Sequence, residues 1–376
     1  MGFRKRMALL ACVMGVLLWL VPCVALAEET GDQKKEVEGI YEESGAAALY
    51  DALDEDTREL LEKGGIQEGI VQSEEDGNHL FQAFSQVFRE KISAPLKGLA
   101  ALLGVVILCR LGSLFEQGKE TAQLVGTLSC AGILVSPLLA LIGATSQVIE
   151  SASVFMVASV PVYSALMIAS GSGVTGGSYS FWTLAFGNGI PVLASALLLP
   201  LLRAFLMLAL TSALCRTRLD RLLSSIYNFT KWILVLSVTL FSGILSVQTM
   251  LNAQVDAATN KAVKLLASSA IPIVGGAFGD AVAAIQNSVQ IVKSGVGAFG
   301  MLAAVCIFAP TAVEATLWVG VSLLGQIASD LMDVPYLGSI FGACASVGKM
   351  ILAVLASVCA VAVVCAALVL FVKGSL

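Results

Sequence analysis

The chain has 376 residues, of which 57% are hydrophobic and only 13% charged, and its mean hydropathy is +0.88. A soluble domain of that length cannot hide so much apolar surface, so an ordinary soluble enzyme is excluded and the bilayer becomes the expected solvent. The net charge of −5 is unevenly spread: residues 28–95 hold 18 acidic and 6 basic side chains, while the remainder of the chain is net basic. A uniformly acidic nucleic-acid mimic is therefore not supported, and no nucleic-acid partner is expected.

Met1 to Ala27 has the three parts of a secretory signal peptide. Arg4, Lys5 and Arg6 form the basic start, Met7 to Leu20 the apolar middle, and Ala25-Leu26-Ala27 a small-x-small site that predicts cleavage after Ala27. The alternative is an uncleaved first transmembrane helix; either way the next residues are delivered outside the cytoplasm. Residues 28–95 then read as an acidic, helical, extracytoplasmic segment. Asp56 with Glu59 suits a helix start, Leu60 and Leu61 supply an apolar face, and Gly64-Gly65 a stop. A second amphipathic piece from Leu80 to Ile92 is expected to lie along the membrane surface. His79, the single histidine, has no second ligand near it in sequence and reads as solvated.

From residue 96 to 376 the spacing predicts an all-α, polytopic transmembrane bundle of about seven or eight spans. Seven apolar stretches stand out, at 96–115, 122–145, 148–170, 180–214, 232–250, 296–324 and 350–372. The fourth is interrupted by Gly187-Asn188-Gly189, Pro191 and Pro200, and the sixth by Pro310, which suits broken or re-entrant helices. The basic loop from Cys215 to Lys231 is expected on the cytoplasmic side, an assignment that requires either a double or broken passage through 180–214, the favoured reading, or another re-entrant stretch. Gly171 to Ser178 reads as a flexible connector, since no lysine or strand supports a phosphate loop. Asn252 to Ala270 reads as an amphipathic helix with Val255, Ala258, Ala262, Leu265 and Leu266 on its apolar face, the start of an amphipathic or re-entrant segment over 252–295.

Two short segments resemble each other. Ile271-Pro272-Ile273-Val274-Gly275-Gly276-Ala277-Phe278-Gly279 parallels Val334-Pro335-Tyr336-Leu337-Gly338-Ser339-Ile340-Phe341-Gly342. Pro272, Gly275, Gly276, Asp280, Pro335 and Gly338 are thus candidates for two related helix-initiating or re-entrant elements.

Ionisable groups inside apolar runs are costly and mark candidate sites. Arg110, Arg203 and Glu314 are the clearest cases, with Glu150 at the start of a run. They either line a polar path and pair between helices, or Arg110 and Arg203 snorkel to an interface while Glu314 caps a helix restarted after Pro310. The nine cysteines include no C-x-x-C pair and read as small packing residues, so no disulfide framework, metal or cofactor is expected. No nucleophile–base pair or Walker motif appears, and no catalysis is expected.

Lys261-Ala262-Val263-Lys264, the Ile271–Gly276 run, Asp280-Ala281 and the stretch from Ser288 to Gly297 together resemble the stage III sporulation protein AE family. The acidic segment with Leu60-Leu61-Glu62-Lys63 and the many spans fit the same plan. The resemblance implies a subunit of a complex in the mother-cell membrane that joins a forespore membrane protein to form a channel-like apparatus; its partners would be the other subunits and the lipid bilayer. Two other roles remain open on the residues alone: a self-sufficient secondary transporter, and a membrane assembly platform without transport of its own.

Overall fold

The computed structural model describes residues 47–64, 66, 76–114, 119–187, 189–215, 220–270 and 275–372. The signal peptide with Ala27, the first part of the acidic segment, Pro272, and Arg216 and Arg218 of the basic loop lie outside the described residues. Every regular element among them is helical.

Three short helices occupy the acidic segment: α1 (Ala47–Asp51), α2 (Glu55–Lys63) and α3 (Asp76–Lys91). The residue at the start of α2 is Asp54, not Asp56, which lies within the first turn beside Glu55. Acids in that turn and Lys63 in the last one complement the helix dipole. Tyr50 donates to Glu62 at 2.8 Å and stacks obliquely near Phe299, so α1 and α2 close onto the bundle. Desolvation on burial, followed by that bond to the Glu62 carboxylate, holds the Tyr50 hydroxyl above its ordinary pKa.

Helix α4 (Ser93–Gly112) follows α3 almost without a break. Ile92 has helical angles, and its N–H and that of Leu96 both bond four residues back. The amphipathic piece therefore leads directly into α4 instead of folding away along a surface.

The remaining helices are long. Helix α5 (Lys119–Ala169) contains Pro137 and Pro161, and both the second and the third apolar stretch lie on it. After a tight turn come α6 (Gly173–Trp182), α7 (Gly189–Leu193) and α8 (Leu199–Cys215), with wide π-type turns at Thr183–Gly187 and Ala194–Leu198. These turns have an identifiable cause. Pro191 and Pro200 lack the N–H that would bond Gly187 and Ala196, four residues earlier, and both acceptors lie within the widened turns. Helices α9 (Asp220–Ala270), α10 (Gly275–Leu331) and α11 (Pro335–Phe371) complete the chain.

Six helical stretches among the described residues are long and apolar enough to cross a bilayer. The 180–214 stretch widens at two π-type turns but forms one span-length helical stretch, and α10 runs through Pro310 without interruption. A single missing hydrogen bond is tolerated when neighbouring helices pack on both sides, and Ile307, Phe308, Ala309 and Thr311 are all buried. The two related motifs both lie where a long helix begins, α10 at Gly275 and α11 at Pro335, and Gly276 and Asp280 belong to the first turns of α10.

The α10–α11 hairpin is the core. Its turn closes with Asp333 in the left-handed region (φ 55°) and the Val334 N–H bonded back to the Ser329 carbonyl at 3.0 Å. Large side chains then sit on glycines across the seam. A Cβ on Gly325 would lie 2.9 Å from the Phe341 ring, and one on Gly348 only 2.4 Å from Val319 Cγ2. Such close approach maximises dispersion contacts, which must hold helices together where hydrophobic exclusion is absent. Cys109, Cys130, Cys306, Cys344, Cys359 and Cys365 are unbridged, and all but Cys359 are buried.

Candidate functional site

The buried polar residues converge on the turn between α5 and α6. That turn is a Schellman cap: Ser172 N–H bonds the Met167 carbonyl at 2.9 Å and Gly171 N–H bonds Ile168 at 3.0 Å. Gly171 has φ +86°, and a Cβ there would meet Gln286 Nε2 at 2.8 Å, so both backbone and space require glycine.

Asp256 of α9 caps the next helix from 82 residues away. Its carboxylate accepts the Val174 N–H at 2.8 Å, the Thr175 N–H at 2.9 Å and the Thr175 hydroxyl. Ser172, at the usual capping position, makes no side-chain cap bond, so Asp256 stands in for it. One turn on, Asn260 donates to the Gly171 carbonyl at 2.8 Å.

Lys293 of α10 holds the other side of the turn. It is completely buried, and its ammonium donates to Ser170 Oγ at 3.3 Å, to Gln290 Oε1 at 3.3 Å and to the Val372 carbonyl. No carboxylate pairs with it among the described residues. The compensation comes from helix ends. Lys293 lies beside the C-termini of α5 and α11, each carrying partial negative charge, and Asp256 lies at the positive N-terminus of α6. Four long helices, α5, α9, α10 and α11, are thereby tied to α6 at one level.

This junction corrects two sequence readings. Gly171–Ser178 is a two-residue turn followed by a helix, not a flexible connector. The Asn252–Ala270 stretch is the end of the continuous α9, not a separate interfacial helix, and its sides are reversed. Asp256 is buried whereas Val255 is half exposed, as expected where the solvent outside is lipid or another apolar surface. The signal was the spacing Asn252, Asp256, Asn260, a polar stripe at helical period.

The charged candidates from the sequence do not come together. Glu314 pairs with Lys91 at 3.1 Å, Arg110 reaches Asp333 at 3.8 Å, and Arg203 is exposed without an ion-pair partner among the described residues. From Lys91 to Arg110 and from Glu314 to Asp333 is the same 19 residues, about 28 Å of helix. From Lys293 to Glu314 is 21 residues, about 31 Å. The bundle thus holds two stacked apolar layers, each near bilayer thickness, bounded by three levels of polar groups. Because the Lys91–Glu314 pair is substantially exposed, Glu314→Gln is expected to cost about 1 kcal/mol or less, and Arg203→Gln nothing measurable, in thermal unfolding of the detergent-solubilised protein.

A bundle whose outward faces are apolar and whose charges are compensated inside by helix ends defines a polytopic helical membrane protein. The family model for stage III sporulation protein AE matches residues 57–375, and the chain belongs to that family. Stage III sporulation protein AE of Bacillus subtilis (strain 168) is 24% identical over 314 residues, covering 78% of each chain. No solved structure matches. Membership assigns the chain a role in sporulation.

Proposed function

We propose that this chain is a non-enzymatic membrane subunit of the mother-cell-to-forespore channel or secretion-like complex required for endospore development. It would reside in the mother-cell membrane, with its acidic N-terminal segment on the extracytoplasmic side and the other subunits of the complex as partners. The observation that carries this reading is the family match over nearly the whole bundle. The separate pairing of Arg110 and Glu314 supports it, because a self-sufficient transporter needs its intramembrane charges gathered at one site.

One feature favours autonomous transport instead. A small recess between α6 and α9, with room for about one water, is lined by Thr175, Ser178, Tyr179, Trp182, Leu245, Gln248, Thr249 and Asn252, and the Asn252 amide nitrogen is buried without a partner among the described residues. Affinity purification of a tagged chain from sporulating cells separates the two. Co-recovery with other sporulation membrane proteins is expected; recovery alone, in a monodisperse form, would move the reading to a transporter.

A further inference from the structure

We propose that copies of this chain associate head to tail in the membrane, the exposed face of α5 on one copy packing against the exposed face of α9 on the next, with Glu150 paired to the neighbour's Lys231. The contact does not depend on the role proposed above.

Length supplies the first argument. Helix α5 exposes one narrow stripe from Val125 to Ile168, apolar toward both ends and polar in the middle at Gln147 and Glu150. That is 43 residues, about 65 Å. Hydrocarbon is about 30 Å thick and covers roughly 39 Å of a helix tilted by 40°. One hydrocarbon layer cannot cover both apolar ends of this stripe, which leaves one of them open to a protein neighbour.

Charge identifies the protein. Glu150 lies exposed in the middle of the α5 stripe, and Lys231 lies exposed on α9; neither has an ion-pair partner among the described residues. Their depths agree. Glu150 is 20 residues below Ser170 and Lys231 is 25 residues below Asp256, about 30 Å and 37 Å from the polar junction, a difference within side-chain reach. Within one chain α5 and α9 make no extensive contact. Copies related by an axis along the membrane normal keep every residue at its own depth, so each presents an acid on one flank and a base at the matching depth on another. Both charges lie near the level of the Lys91–Glu314 pair, about 31 Å from Lys293, and pairing between copies would satisfy each with the other.

Register supplies the third argument. Both helices run toward the junction, so facing stripes would be parallel. With Glu150 opposite Lys231, Val154 falls opposite Val235, both exposed apolar side chains.

The test uses two differently tagged full-length copies co-expressed in one membrane. Glu150→Lys in both copies, or Lys231→Glu in both, is expected to lower recovery of one tag with the other by about tenfold, and the double exchange to restore it. Oxidation should also link Val154→Cys on one copy to Val235→Cys on the other, but not Val154→Cys to itself. Recovery unaffected by the single exchanges, no rescue by the double exchange, same-residue cross-links, or cross-links only to a different protein or to nothing would overturn the proposal.

Discussion

Asp256→Ala is expected to destabilise the folded chain by about 3 kcal/mol, more than any other single truncation of a polar side chain in the bundle. The carboxylate serves three donors, two of them backbone N–H groups at the start of α6. Removing it leaves those donors buried without acceptors and exposes the positive end of α6 to an apolar interior. Asp256→Asn keeps one acceptor oxygen and should lose about half as much. Unfolding in detergent measures the global effect, and labelling of Ser172→Cys measures the local one, since Ser172 is buried in the intact turn. A maleimide rate at Ser172→Cys that does not rise with Asp256→Ala would show that the turn is held by other contacts.

The reason this residue escapes a reading of the sequence is instructive. The period of α9 was legible, but period alone does not tell which side faces inward. In water the apolar side of an amphipathic helix is buried; here Val255 faces out and Asp256 faces in. The partner groups are also far along the chain, at positions 174 and 175 for Asp256 and at 170 and 372 for Lys293. Gly171 to Ser178 has the composition of a linker, and only a cap supplied from a distant helix makes it an ordered turn and helix. By contrast, the irregularity near Pro191 and Pro200, seen as two widened turns, is legible because a missing N–H is a local property. Pro310 fails the same rule because the surrounding core, which local sequence does not specify, keeps α10 straight enough to continue. The charges at 110, 203 and 314 stand out in the hydropathy pattern, but the ion-pair partners of Glu314 and Arg110, Lys91 and Asp333, are residues that hydropathy does not mark.

The second large effect is expected where α5 meets α10. Tyr163 is fully buried, its hydroxyl has no hydrogen-bond partner among the described residues, and it lies against Gly300. A Cβ built on Gly300 would be 1.7 Å from the Tyr163 oxygen, 2.9 Å from Cζ and 3.3 Å from the Ala366 Cβ. Gly300→Ala should therefore cost about 2–3 kcal/mol, because a buried ring wedged between helices cannot swing aside as a surface side chain would. Tyr163→Phe removes an unpaired buried hydroxyl and should be neutral or stabilising by up to about 1 kcal/mol. The two changes share one contact, so they should not add. Tyr163→Phe in the Gly300→Ala background removes the worst overlap and should recover about 1 kcal/mol beyond its effect in the native background, while the remaining 2.9 Å approach keeps the rescue incomplete. A double-mutant cycle on unfolding midpoints measures that coupling. Strict additivity would mean that the ring tilts away from α10 when crowded, so that α5 and α10 are free to shift against each other at this level; a coupling of the expected size would mean that the close packing at Gly300 fixes their spacing just below the junction that Lys293 closes.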